Sequence, residues 1–283
     1  MKITLDNYQL SEYEKLTIKE LLAGSDGECS LERLWALIDQ VWLASGCGEF
    51  PIQQACLDAF YRHPVWALNG LFIEQDLDSM AHRRAFAALL AGLGPSRVVD
   101  VGGGFGTLAR LVSGLCPMTR VDILEPYPTL CMKNLVETYP QIEFVNELNF
   151  SDYDVLVCTD VLEHVQDPLM LLVRMVASVR IGGHLLIANC FEPSVLCHLP
   201  STFHLRFSFD NFCVRLGLER LTGVSLPYGG LYKKNYSATL SLERMRYLEK
   251  VSRRLYPLRC FVDRFHVRHK ISAVKQAVLE YWP

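Results

Sequence analysis

The chain has 283 residues, half of them hydrophobic and 21% charged. That balance supports a large buried core and excludes an intrinsically disordered chain. Its net charge of −3 excludes a strongly basic nucleic-acid binder, and no recognisable RNA-binding module is present.

The N-terminus, Met1-Lys-Ile-Thr-Leu-Asp6, lacks the basic-then-apolar order of a signal peptide. The longest apolar runs are broken by Arg174, Arg180 or glycines, so no transmembrane segment is expected. Ten cysteines stand singly from Cys29 to Cys260, without CxxC pairs, and read as reduced packed thiols. These features place the protein in the cytoplasm.

From about residue 10 to residue 90 the apolar residues recur at helical spacing, as in Leu31, Leu34, Leu37, Ile38, Val41 and Trp42, with Ser30 placed as an N-cap. Residues 1–75 are therefore a helical N-terminal region. Within it, Tyr61-Arg-His-Pro-Val-Trp-Ala-Leu-Asn-Gly70 gathers aromatic residues between Pro64 and Gly70. His63 and Trp66 are read either as packing at a helix junction or as parts of a lid.

After Gly94-Pro95, short β-branched runs alternate with helical ones, the pattern of a parallel sheet with crossover helices. Strands are predicted at 97–101, 120–124, 142–146, 153–158 and 184–189, and helices at 107–115, 129–138 and 168–180. A helix at 208–216 and a strand at 218–224 follow, then a turn and late strand over 227–240. Helices interrupted at Pro257 close the chain. Residues 76–240 form the core, and 241–283 form an extension with ten Lys/Arg against four Asp/Glu. That extension is read as a solvated helical face or as a polyanion-binding surface.

Arg97-Val-Val-Asp-Val-Gly-Gly-Gly-Phe-Gly-Thr-Leu-Ala-Arg110 runs from a strand through a glycine loop into a helix. Glycines let the backbone approach a ligand, and free N–H groups at the helix start favour an anionic group. Glu125, at the tip of the next strand, is placed to accept ribose hydroxyls, and Tyr127 to pack beside adenine. An adenosine-type cofactor is implied. Gly104-Phe-Gly-Thr-Leu-Ala109 also satisfies the dinucleotide fingerprint, so a nicotinamide dinucleotide competes at this point.

Asp100-Val-Gly102-Gly103-Gly104-Phe105-Gly106 resembles the D-x-G-x-G-x-G first motif of class I S-adenosylmethionine-dependent methyltransferases. The resemblance runs on through Glu125 to Tyr153-Asp-Val-Leu-Val-Cys-Thr-Asp-Val-Leu-Glu-His-Val165 and Ile181-Gly-Gly-His-Leu-Leu-Ile187, over about half the chain. It implies an α/β fold: a Rossmann-like sheet with helices on both faces, plus a helical N-terminal region and a helical C-terminal extension. It also implies S-adenosyl-L-methionine as cofactor. Asp100, Gly102, Gly103, Gly104, Phe105, Gly106, Glu125, Tyr127, Thr159 and Asp160 would hold it. Where the family often carries an Asp near adenine, this chain offers Asn146 or Glu147.

Asp160-Val-Leu-Glu-His164 follows the fourth strand, and Asp167-Pro168 caps the next helix. If residues 160–164 make one helical turn, Asp160, Glu163 and His164 project from one side at i, i+3 and i+4. The segment resembles the E-x-x-E-H cluster of ubiquinone-biosynthesis O-methyltransferases and small-RNA 2′-O-methyltransferases, with Asp160 for the first Glu. Three roles stand open: a Mg²⁺ or Mn²⁺ site made by Asp160, Glu163 and His164, a general base at His164, or structural hydrogen bonding. The stretch 191–206 adds Glu192, His198, His204 and Arg206, of which His198 and His204 are further catalytic candidates. The expected reaction is in-line methyl transfer to a sugar or hydroxylated small molecule. N- or C-methylation, an oxidoreductase and a non-catalytic binding module are the alternatives.

Overall fold

The computed structural model describes residues 1–238 and 241–280, the side chains of 265–280 excepted. Five helices come first: α1 (Glu12–Leu21), α2 (Leu31–Ala44), α3 (Gln54–Tyr61), α4 (Val65–Gln75) and α5 (Leu77–Gly92). Ser30 caps α2 as expected, its hydroxyl accepting from the Arg33 N–H at 3.2 Å. Asp76 caps α5, and the helices before it, α1–α4, termed the cap below, pack in one apolar cluster with Phe105, Met132 and Val195.

The core continues with β1 (Arg97–Val101), α6 (Thr107–Leu115), β2 (Arg120–Leu124), α7 (Leu130–Val136), β3 (Ile142–Val145) and β4 (Tyr153–Thr159). A 3-10 turn at Leu162–His164 leads to α8 (Pro168–Ser178) and β5 (Val179–Ala188). A second 3-10 segment (Pro200–Phe207), α9 (Phe209–Arg215), β6 (Leu218–Arg220), β7 (Gly230–Lys234) and α10 (Leu242–Glu280) complete the order.

The seven strands lie in the order β3-β2-β1-β4-β5-β7-β6. β1 to β5 are parallel, and β7 runs antiparallel to both β5 and β6. Because β1 and β4 are central, their Val and Leu side chains are buried on both faces, which explains their continuous rather than alternating apolar pattern. One face packs on α8 and α9 through Leu172, Met175 and Phe212. The other packs on α5 and α6 through Phe86, Leu90 and Val112.

Four expectations change in detail. The strand expected at 184–189 begins at Val179, directly after α8, and passes an irregularity in its register with β4 before Val155 pairs with His184. The strand expected at 218–224 ends at Arg220. Residues 200–207 coil into a 3-10 segment. Pro257 does not interrupt α10. It forfeits one helical bond, while the inner side of the helix stays tied to the core through Ser252 and Arg259. The expected late strand and C-terminal extension reach into 239–240 and 281–283, outside the described residues. Among the described residues, no helix is long and apolar enough to cross a membrane.

Candidate active site

β1 delivers Asp100 and the glycine loop to the C-terminal edge of the sheet, where parallel α/β folds hold their ligands. Gly102 has φ +73°, and a Cβ there would stand 2.4 Å from Val161 Cγ2. No other residue fits that turn. Glu125, at the end of β2, accepts the Gly104 and Tyr127 N–H groups at 3.2 Å each. The second strand thereby braces the loop.

Asp100 is buried, and that burial pushes its carboxyl up to about 7; Arg83 acts against the rise and Glu125 adds to it. Burial likewise raises Glu125, opposed by the two amides it accepts. Two acids at the strand tips are therefore held where a cationic or hydroxylated ligand would favour their ionised forms.

A cavity of about 630 Å³ opens between this edge and the cap, within the size range of small-ligand sites. Asp100, Gly102, Gly103, Gly104, Phe105, Glu125 and Tyr127 line it, as do Thr159, Asp160, Glu163, His164 and His198. Three expected cofactor residues do not. Gly106 starts α6 and faces Val136 and Ile123, while Asn146 and Glu147 are exposed beyond the end of β3. His204 also lies away from the cavity, its Nδ1 2.9 Å from Ser252 Oγ on α10. It joins α10 to the core.

The single helical turn expected at 160–164 does not form. Asp160 takes a left-handed φ of +56°, which turns its carboxylate away to the Tyr228 hydroxyl (2.8 Å) and toward Arg83 (3.8 Å). The cluster Asp160, Glu163, His164 is therefore replaced by Glu163, His164 and His198, whose ligand-type atoms lie within 4.8 Å of one another. The chain from Cys190 to Leu199 folds back onto the 3-10 turn to bring His198 there, with the Leu199 N–H donating to the Glu163 carbonyl at 2.9 Å.

Each group in this cluster is fixed from behind. His164 Nδ1 lies 3.2 Å from the Cys197 carbonyl and His198 Nδ1 2.7 Å from the Glu192 carbonyl. A carbonyl only accepts, so both Nδ1 atoms carry a proton. Glu163 accepts the Cys190 N–H at 2.7 Å. Burial and then Asp160 raise the Glu163 carboxyl, against the pull of that amide. Burial, with His198 adding, lowers His164 to about 3. His164 is a neutral imidazole at physiological pH.

The cap supplies the rest of the wall. Tyr61 stacks nearly parallel to Tyr127, at 5.9 Å and 8°, and Trp66 stands edge-on to His164 at 6.1 Å. The Tyr61 hydroxyl and Trp66 Nε1 are buried without a hydrogen-bond partner. The Tyr127 hydroxyl donates to Asp58 of α3 at 2.6 Å. His63 lines the cavity as well, its Nδ1 accepting the Val65 N–H at 3.1 Å.

Sequence reasoning missed Arg83, His82 and Tyr228, which also line the cavity. Arg83 and His82 sit on a helix whose spacing signals only packing. Tyr228 carried one usable signal, its place in the Pro-Tyr-Gly-Gly turn after the last crossover.

Strand order, glycine loop and the acid at the tip of β2 together define an α/β fold that binds an adenosine cofactor at its C-terminal edge. A family model described as a methyltransferase domain matches residues 72–226, more than half of the chain. The chain belongs to the class I S-adenosylmethionine-dependent methyltransferases, a family that implies S-adenosylmethionine rather than a nicotinamide dinucleotide as the cofactor.

Among curated relatives, the ubiquinone biosynthesis O-methyltransferase of Aliivibrio fischeri (strain MJ11) is 31% identical over 106 residues, covering 35% of this chain and 45% of the relative. The chain thus spans about half the length of that relative. The enzyme of the same name from Xanthomonas campestris pv. campestris (strain B100) is 26% identical over 197 residues, covering 67% and 70%. A solved O-methyltransferase family protein from Burkholderia thailandensis superposes with a TM-score of 0.49 at 15% identity, over 77% of this chain and 74% of that one.

Proposed function

We propose that this protein transfers the methyl group of S-adenosylmethionine to a hydroxyl oxygen of a small acceptor, a sugar or a phenol-like metabolite. The observation that carries this reading is the Glu163–His164–His198 cluster, which opens onto the same cavity as the cofactor residues Asp100, Gly104 and Glu125. The names of the Aliivibrio and Xanthomonas relatives, both O-methyltransferases, support oxygen as the accepting atom.

Methyl transfer from a sulfonium needs an acceptor held in line, and positioning alone contributes roughly 7–11 kcal/mol. The bound cofactor supplies the electrophilic methyl group. Arg83, beside Asp100 and Asp160, is the cation placed for the cofactor carboxylate, and Glu125 is placed for the ribose. On the cap side, Tyr61 and Trp66, stacked on each other at 5.3 Å, give the cavity an aromatic wall that suits an acceptor with an apolar ring.

A hydroxyl must also lose its proton. Glu163, with its raised carboxyl, is the proton acceptor best matched to neutral pH, whereas His164 is too weakly basic and serves by accepting a hydrogen bond at Nε2.

A second reading is favoured by the shape of the donor set. One carboxylate and two imidazoles, each imidazole oriented through Nδ1 by a backbone carbonyl, fit a divalent cation held by Glu163, His164 and His198. Two nitrogen donors favour Mn²⁺ over Mg²⁺. Such a cation would lower the pKa of a hydroxyl bound to it.

Incubation with tritiated S-adenosylmethionine and a panel of sugars and phenols is expected to yield a labelled methyl ether. Label found only on nitrogen or carbon, or cofactor binding without transfer to any acceptor, overturns the reading. Loss of transfer in chelator, restored by Mn²⁺, selects the cation; indifference to chelator leaves Glu163 as the base.

A further inference from the structure

α10 meets the core along one side only. Met245, Glu249 and Ser252 are buried there, and Ser252 Oγ donates to Ser208 Oγ at 2.7 Å. The arginines on this inner side are all engaged. Arg246 pairs with Asp167 and Glu249, Arg253 with Glu249, and Arg259 donates to the Phe207 carbonyl at 3.0 Å.

The outward side is different. Tyr247, Leu255 and Leu258 are 63%, 39% and 59% exposed, at spacings of eight and three residues that bring them onto the solvent side of the helix. Arg244, Lys250 and Arg254 stand exposed around them. Among the described residues, none of these three cations has a carboxylate partner. The segment thus sorts its cations: Arg246, Arg253 and Arg259 are engaged by carboxylates or a backbone carbonyl, and Arg244, Lys250 and Arg254 stand beside apolar side chains.

We propose that the outward side of α10 from Arg244 to Leu258 seats the protein on an anionic phospholipid surface, with the helix lying in the plane of the headgroups. An interfacial helix needs apolar side chains to enter the headgroup boundary and cations to meet lipid phosphates, and this side presents both. A nucleic acid would use the cations but gain little from Tyr247, Leu255 and Leu258 standing between them. A second copy of the chain would bring like charges face to face. The lipid surface satisfies both classes of side chain at once.

The test is co-sedimentation of the full chain with vesicles of equal phosphatidylglycerol and phosphatidylcholine, compared with phosphatidylcholine alone. Binding is expected to the anionic vesicles only and to weaken with salt. Lys250→Glu with Arg254→Glu should lower partitioning at least roughly twenty-fold, at about fivefold per cation lost. Leu255→Asp with Leu258→Asp should abolish binding while S-adenosylhomocysteine affinity, read by calorimetry, stays unchanged, which excludes a folding defect.

Four results overturn the proposal: no sedimentation of the unmodified chain with anionic vesicles, equal binding to phosphatidylcholine, vesicle binding that survives both leucine substitutions, or light scattering that shows a dimer dissociated by Leu258→Asp. Survival after the leucine changes, with binding to a labelled RNA oligonucleotide, would assign the cations to a polyanion instead.

Discussion

Asp100 lies at the point where the cofactor loop leaves β1, and its environment raises its carboxyl to about 7, mainly through burial. An acid whose folded pKa stands above its unfolded value near 3.9 binds more protons in the folded state between the two values. Its burial therefore destabilises the fold little at pH 4 and increasingly as the pH rises through 7. Asp100→Asn is expected to unfold at higher urea than the unmodified protein at pH 8, by on the order of 1–4 kcal/mol, with the gap closing toward pH 4. The same variant should bind S-adenosylhomocysteine at least tenfold more weakly by calorimetry. A stability gap that widened on acidification would show that Asp100 is ionised and paired in the free protein.

At the same scale, the site was unevenly legible in the sequence. Gly102, Gly104 and Glu125 could be read because the strand, loop and strand tip that carry them are local features with strict conformational demands. His198 could be read as a candidate but not as the partner of Glu163 and His164, because the loop that carries it back has no periodicity. Asp160 misled for a related reason. Helical spacing aligned it with Glu163, yet its left-handed φ and the Tyr228 hydroxyl draw it aside.

Among the elements, the contact of α4 with α6 matters most to the site. Glu74 of α4 accepts from the Thr107 hydroxyl at 2.6 Å and the Tyr8 hydroxyl at 3.0 Å, and it pairs with Arg110 of α6. Gly70, one turn earlier, lies against Phe105, and a Cβ at that position would stand 2.5 Å from the ring. The cap therefore grips the first turn of the helix that follows the cofactor loop. Glu74→Ala leaves the largely buried Arg110 without its carboxylate and should cost about 3 kcal/mol in urea unfolding. Glu74→Gln, able to keep the hydroxyl bonds, should cost less. Equal losses would show that the ion pair with Arg110 carries the whole effect and that the hydroxyl bonds contribute nothing.

The strands and helices of the core were readable from period-2 and period-3.6 patterns with modest errors at their ends. Their assembly was less so. β7 turns antiparallel at the sheet edge, and α10 continues through Pro257, because tertiary contacts override the local signals there.

For the molecule as a whole, cap and core share one apolar cluster. Cap residues Ile18, Leu34, Phe60 and Leu68 belong to it together with Phe105, Cys131, Met132, Val195 and Cys197 of the core. Polar ties add to it, such as the Leu196 N–H donating to Asp39 at 2.7 Å. A division at residue 75 thus describes the order of the chain but not two independent cores. Three of the four tryptophans, Trp35, Trp42 and Trp66, lie in the cap, so fluorescence reports on the cap and far-ultraviolet circular dichroism on the whole. The two signals are expected to change together in one urea transition, and S-adenosylhomocysteine should shift both. An earlier fluorescence transition would reveal a cap that opens by itself.

By itself the sequence determined the class of fold and the strand, glycine turn and helix at residues 97–115, because a strand entering a glycine turn and then a helix satisfies its own backbone geometry within a few residues. Only the tertiary structure decided which side chains meet in the cavity beside the glycine loop. Glu163, His164 and His198, the diversion of Asp160 to Tyr228 and Arg83, and the Tyr61–Trp66 wall come from five separate parts of the chain. Their meeting depends on how the cap and the loop after β5 close over the sheet edge, and packing of that range leaves no periodic trace in the sequence.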